Sequence, residues 1–172
     1  MRSALAASIL AELKGRGETL ASAESLTGGM LGALLTDIPG SSASYLGGVI
    51  SYATSLKATL AGVDAATLTE FGPVAAPTAA EMARGVAYRC NADWGVAATG
   101  VAGPEAQDGH PVGQVFVAVS HQAGELLRVQ ELSLQGDRAA VRKQAAAAAL
   151  TLLADALGLD SVEAEVADAS LT

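Results

Sequence analysis

The run Glu18-Thr19-Leu20-Ala21-Ser22-Ala23, continued by Glu24-Ser25-Leu26-Thr27-Gly28-Gly29 and then by Met30-Leu31-Gly32-Ala33-Leu34-Leu35, decides the fold class. Its short Thr/Leu-containing opening reads as a strand, its polar and glycine-rich centre as a turn, and its renewed apolar periodicity as a helix. Ser25 then stands at the end of a strand, just before a helix N-terminus whose free N–H groups can hold an oxyanion. That position suits a nucleophile. The segment is not a G-x-S-x-G elbow, and a plain N-cap serine is the competing reading.

Upstream, Leu5, Ile9 and Leu13 are four apart, placing apolar side chains on one face of a helix over residues 3–16, stopped by Gly15 and Gly17. Downstream, Pro39-Gly40-Ser41-Ser42 is a loop, residues 45–52 a strand, and residues 54–60 a helix ended by Gly62. Asp64 caps a short helix to Phe71, Gly72-Pro73 interrupts it, and Thr78 is expected to cap the next helix, to about Cys90. Residues 93–99 form a strand that empties through Thr99-Gly100-Val101-Ala102-Gly103-Pro104 into a polar loop reaching His110. Residues 112–120, with Val115, Val117 and Val119 on one side, pair with residues 126–134 across the turn His121-Gln122-Ala123-Gly124. Asp137 caps a last helix to about Leu157 that buries Val141, Ala145, Ala149, Leu152 and Leu153. The expectation is a three-layer α/β/α sandwich around a mixed, mostly parallel sheet with one late antiparallel hairpin. Residues 1–159 make a single domain, and residues 160–172 an acidic, frayed tail.

The 172 residues, 51% of them hydrophobic, suffice for one packed core. A net charge of −8 and 3% aromatic residues argue against a nucleic-acid binder, which needs clustered cations and stacking platforms. The single cysteine, Cys90, leaves no intramolecular disulfide and no structural zinc site. The N-terminal run lacks a signal peptide's apolar core, and no stretch has the length of a membrane span, so a cytoplasmic location and no membrane partner are expected.

Both histidines, His110 in a loop and His121 at the hairpin turn, read as solvated surface residues without a poised acid, so no Ser-His-Asp set emerges. Lysine is the other base, and Lys57 alone follows an apolar strand, with Tyr52 nearby. It is the candidate for a buried amine whose pKa falls well below its usual value, with a surface lysine on a short helix as the alternative. Thr54-Ser55-Leu56-Lys57 also resembles Ser-x-x-Lys, with threonine in the nucleophile's place. The glycines of residues 99–104 let a ligand approach the backbone, as phosphate-cradling loops do, or simply turn a strand end. Arg138 and Arg142, one helical turn apart, can grip a phosphate or serve as solvated charge.

In this order the segments around Ser25, Pro39-Gly40-Ser41-Ser42, Gly47-Gly48-Val49-Ile50-Ser51-Tyr52, Lys57, residues 99–104, Pro111-Val112-Gly113 and Gly136-Asp137-Arg138 to Arg142 resemble the CinA C-terminal domain family. Its stand-alone members are nicotinamide mononucleotide deamidases. The resemblance implies a serine amidohydrolase with Ser25 as nucleophile, Lys57 as general base and Tyr52 as hydroxyl partner, needing no metal and no cofactor. It implies backbone N–H groups at Thr27, Gly28 and Gly29 for the oxyanion. Thr99, Gly100, Gly103 and Arg142, with Arg138 second, would bind the nucleotide. A homo-oligomer is expected by the same analogy, as is a chain without the N-terminal nucleotide-hydrolysing domain of longer members.

Four positions depart from the family pattern. Leu26 replaces a frequent cysteine, Ala53-Thr54 a common Ser-Asn, and Ala75 a frequent serine after Gly72-Pro73-Val74. The alternative function is a non-catalytic nucleotide-binding or interaction module of the competence/damage-inducible type. The joint presence of Ser25, Tyr52 and Lys57 favours the enzyme.

Overall fold

Strand β1 (Leu20–Glu24) is buried over its whole length, the mark of a strand covered on both faces. The computed structural model describes residues 2–123 and 126–159. β1 lies inside a five-stranded sheet of order β2-β1-β3-β4-β5, with β2 (Tyr45–Ile50) and β3 (Trp94–Gly100) parallel on either side of it. β4 (Gln114–His121) runs antiparallel to β3, and β5 (Leu126–Ser133) antiparallel to β4. Four strands therefore share one direction and β4 alone is reversed, which gives the mixed sheet and late hairpin read from the sequence. The expected tail at residues 160–172 lies outside the described residues.

One face carries α1 (Arg2–Arg16), α2 (Met30–Thr36) and α6 (Arg138–Leu157), which pack Ile9, Leu13, Leu31, Val141 and Leu153 against Val96, Val115, Val117 and Val119. The other face carries α3 (Thr54–Thr59), α4 (Ala65–Phe71) and α5 (Ala76–Cys90), with Met82, Ala83 and Val86 against Ala21, Ala23, Ala97 and Phe116. β4 is buried on both sides, so its valine face is only half of what it hides. Among the described residues no helix is long and apolar enough to cross a membrane.

Local chemistry sets the helix starts. Asp64 accepts from the Ala66 N–H at 2.8 Å and Asp137 from the Ala140 N–H at 2.8 Å, as N-caps do. Thr78 is a correction. Helix α5 starts at Ala76 with Ala75 in the cap position, because Pro77 is preformed for a first helical turn and has no N–H to lose. Thr78 is thus inside the helix, and its buried hydroxyl donates to the Gly72 carbonyl at 2.6 Å. His121 is a second correction. It ends β4 with a half-buried ring packed against Trp94, the ring centroids 4.5 Å apart and the planes tilted by 52°, and its Nε2 lies 3.4 Å from Glu18 Oε1. Its neighbouring acid comes from the far end of the sequence, where hairpin reasoning does not look.

The chain passes from β1 to β2 on one side and then from β2 across to β3 on the other. The C-terminal ends of β1, β2 and β3 therefore diverge around a switch point, where open α/β sheets form ligand crevices. The crevice depends on tight packing of α5, and a Cβ at Gly95 would collide with the Ala83 carbonyl. Gly95→Ala is expected to cost about 3 kcal/mol of stability through overpacking, read as a lower urea midpoint at unchanged m-value.

Candidate active site

β1 hands the chain directly to Ser25, whose N–H donates to the Ala98 carbonyl at 3.0 Å and so extends the β1–β3 ladder by one residue. The backbone then leaves the sheet through a turn in which Gly28 and Gly29 have φ of 58° and 100°, left-handed values that glycine adopts without strain. The neighbouring strand delivers the second group. Ser51, just past β2, donates its N–H to the Glu24 carbonyl at 2.8 Å, and one turn into α3 Lys57 points back beneath the Ser25 turn.

Lys57 Nζ donates to Ser25 Oγ at 2.7 Å and to the Ser51 carbonyl at 3.0 Å. The side chain is 2% exposed, and among the described residues no carboxylate stands within ion-pair distance of it. Burial alone pushes its pKa down from 10.5 to about 8, since an ammonium without a counter-charge loses hydration and gains nothing in return. The surface-lysine alternative is thereby excluded. A buried, uncompensated lysine touching a serine hydroxyl has the environment of a base.

The crevice over this pair is lined by Ser25, Leu26, Tyr52, Thr54, Lys57, Pro73, Val74, Thr99, Gly100, Gly103, Glu105, Gln107 and Arg138, among others. Tyr52 faces it, but its hydroxyl accepts from Arg138 at 2.8 Å, so its hydrogen-bond partner is the arginine. Arg138 also donates to the Gly103 carbonyl at 2.7 Å, holding the 100–104 loop against the opposite wall. Thr99 directs its hydroxyl to the Pro73 carbonyl at 2.7 Å, which fixes that wall in place.

Arg142 is placed differently from the sequence expectation. Its Nε donates to the Leu26 carbonyl at 2.8 Å and its terminal nitrogen to the Thr27 carbonyl at 3.0 Å, so it braces the nucleophile turn from behind. Arg138 thus lines the crevice, while Arg142 sits on the turn. Gly28 and Gly29 also differ, because the Gly28 N–H donates to the Ser25 carbonyl at 3.1 Å and the Gly29 N–H to Glu24 Oε2 at 2.9 Å. Among the described residues, the turn amides that donate to no protein acceptor are those of Leu26 and Thr27. Of the three amides the resemblance points to, that of Thr27 is thus open, and those of Gly28 and Gly29 are engaged.

Sequence reasoning missed Glu105, Gln107, Pro73 and Val74 as crevice walls, and Ser51 as a ligand of the lysine. The first four lie on irregular connections with no periodicity to betray them. Ser51 acts through its carbonyl, which every residue has.

An α/β domain with a buried serine–lysine pair at the switch point of its sheet is the class that fold and site define. Residues 2–157 match the CinA C-terminal domain, and the chain belongs to that family. A CinA-like protein of Frankia casuarinae is 46% identical over 145 residues, 84% of this chain and 33% of the relative. Another CinA-like protein, of a Synechococcus strain, is 46% identical over 150 residues, 87% of this chain and 36% of the relative. The chain thus spans about a third of the length of these relatives. Among solved structures, the competence/damage inducible protein CihA of Agrobacterium tumefaciens superposes with a TM-score of 0.86 at 35% identity, covering 91% of this chain and 95% of that one. A CinA superfamily protein of Klebsiella pneumoniae gives 0.86 at 32% identity, covering 92% and 98%.

The depressed lysine pKa has a thermodynamic signature. Between about pH 8 and 10.5 the folded chain has released the Lys57 proton while the unfolded chain still holds it, so stability rises with pH across that window. Relative to Lys57→Met, which cannot titrate, the wild type is expected to gain on the order of 3 kcal/mol between those limits. Urea denaturation at stepped pH checks it, and a flat difference would exclude a depressed amine.

Proposed function

We propose that this domain is an amidohydrolase that converts nicotinamide mononucleotide to nicotinate mononucleotide and ammonia, with Ser25 as nucleophile and Lys57 as general base. The observation that carries the reading is the 2.7 Å bond between a serine hydroxyl and a buried amine that no carboxylate neutralises. A lysine kept for stability alone would be paired, because an isolated buried charge costs more than its packing returns. Membership of the CinA C-terminal domain family supports the substrate class.

In the proposed reaction neutral Lys57 takes the Ser25 proton as Oγ adds to the carboxamide carbon. The oxyanion forms within reach of the Leu26 and Thr27 amides, and collapse of the tetrahedral intermediate expels ammonia with the proton returned by Lys57. A water, deprotonated by Lys57, then attacks the acyl-enzyme, releasing the carboxylate and restoring the Ser25 hydroxyl. Arg138 uses two of its donors on Gly103 and Tyr52 and has others to offer the 5′-phosphate, with the backbone of Gly100 and Gly103 beside it.

Purified protein is expected to release ammonia from nicotinamide mononucleotide, with Ser25→Ala and Lys57→Ala each losing at least about 10³-fold in kcat. Since the base works unprotonated, kcat/KM should climb with pH through a midpoint near 8, the value set by burial of Lys57. If the wild type releases no ammonia yet the nucleotide raises its melting temperature, the binding-module reading replaces this one. Arg138→Gln should raise KM by about tenfold or more with a smaller change in kcat, as removal of a charge-assisted phosphate contact does.

A further inference from the structure

Glu24 is the last residue of β1, 2% exposed, and none of the crevice walls includes it. Its carboxylate is nonetheless fully engaged. Oε2 accepts from the Gly29 N–H at 2.9 Å and the Leu31 N–H at 3.0 Å, and Oε1 accepts from the Gly32 N–H at 2.9 Å. One side chain thus satisfies three amides that the start of a helix leaves without intrahelical partners.

The same residue reaches the base through its main chain. The Glu24 carbonyl accepts from Ser51 N–H at 2.8 Å, and the Ser51 carbonyl accepts from Lys57 Nζ at 3.0 Å. Side chain and backbone of Glu24 therefore clamp the two halves of the pair, the turn that presents Ser25 Oγ and the segment that aims Lys57. We propose that Glu24 is the positioning residue of the Ser25–Lys57 pair, an inference that rests on the reading of that pair as nucleophile and base. By occupying the amides of Gly29, Leu31 and Gly32, it also determines which N–H groups are left for an oxyanion, those of Leu26 and Thr27. Gly32 shows how closely the site is built, since a Cβ there would sit 3.1 Å from the Tyr45 hydroxyl and 3.6 Å from Glu24 Oε1.

The test uses a fluorophosphonate probe, which reports nucleophile activation without assuming a substrate. Ser25 Oγ forms a bond to phosphorus, the P–F bond breaks, fluoride leaves, and the serine proton passes to Lys57. Labelling rates are compared for wild type, Ser25→Ala, Glu24→Gln and Glu24→Asp, with folding checked by circular dichroism. Glutamine keeps the length but replaces one acceptor oxygen with an amide NH2 that can only donate, and aspartate keeps the charge but falls short by a methylene. The expected result is no labelling of Ser25→Ala and at least tenfold slower labelling of either folded Glu24 variant. The pH midpoint should stay near 8, because the lysine's burial is untouched while its aim is lost. A folded Glu24 variant labelled at the wild-type rate overturns the positioning role and leaves the serine–lysine pair standing. A wild type that is not labelled at Ser25 overturns the pair itself, and the inference with it. Should neither variant fold, amide exchange in the wild type decides. Slow exchange at Gly29, Leu31 and Gly32 beside fast exchange at Leu26 and Thr27 supports the clamp, and fast exchange at the first three overturns it.

Discussion

Among the described residues, Lys57 brings an amine into the interior with only a serine hydroxyl and one carbonyl to receive it, and the surrounding architecture is what makes that burial tolerable. An ammonium there would forfeit most of its hydration, so the protein lowers the charge's occupancy by lowering its pKa. In the proposed reaction such an amine is weak enough to be neutral in a useful fraction near pH 8 and strong enough to take a proton from serine in a transition state. No counter-ion could be added without undoing this. A carboxylate beside Nζ would stabilise the ammonium and abolish the base.

Holding the amine against Ser25 requires two strand ends in fixed relation. β1 and β2 pair in parallel up to Glu24 opposite Ile50, so the residues that follow, Ser25 and Ser51, leave the sheet side by side. β3 on the far side of β1 contributes the Ala98 carbonyl to Ser25 and the glycine loop beyond Thr99. Three consecutive neighbours in the sheet, ending at the same side, thus bring together Ser25, the segment leading to Lys57 and the wall of the crevice.

Much of this was legible in the chain. The strand–turn–helix at Ser25 and the caps at Asp64 and Asp137 depend on local chemistry, which sequence carries directly. Lys57 was identifiable because it is one of few lysines and follows an apolar strand. What escaped has a common cause. The ranks of Arg138 and Arg142 turn on which carbonyls lie within reach, and His121 meets an acid 103 positions away in the sequence. Glu24 escaped for a different reason. Its spacing to Gly29 and Gly32 is local, but a carboxylate next to a serine reads as solvent-exposed until the strand is known to be buried on both faces.

The position of Arg142 takes on meaning once peptide units rather than residues are considered. The Leu26 carbonyl and the Thr27 N–H belong to one peptide plane, so a guanidinium on the carbonyl pulls electron density away from that N–H. The Ser25 carbonyl and the Leu26 N–H share the preceding plane, and there the Gly28 amide does the same at 3.1 Å. Both amides left open by the Glu24 clamp are therefore the outer ends of polarised hydrogen-bond chains, and such chains strengthen each successive bond in a low-dielectric setting. In the proposed mechanism a negative charge develops in front of these two groups, and the cation of Arg142 acts on it through the backbone without entering the crevice. This division leaves Arg138 free for the substrate's own anionic end. In that mechanism two guanidiniums one helical turn apart would serve opposite ends of one reaction, because a single turn of α6 separates the back of the Ser25 loop from the mouth of the crevice.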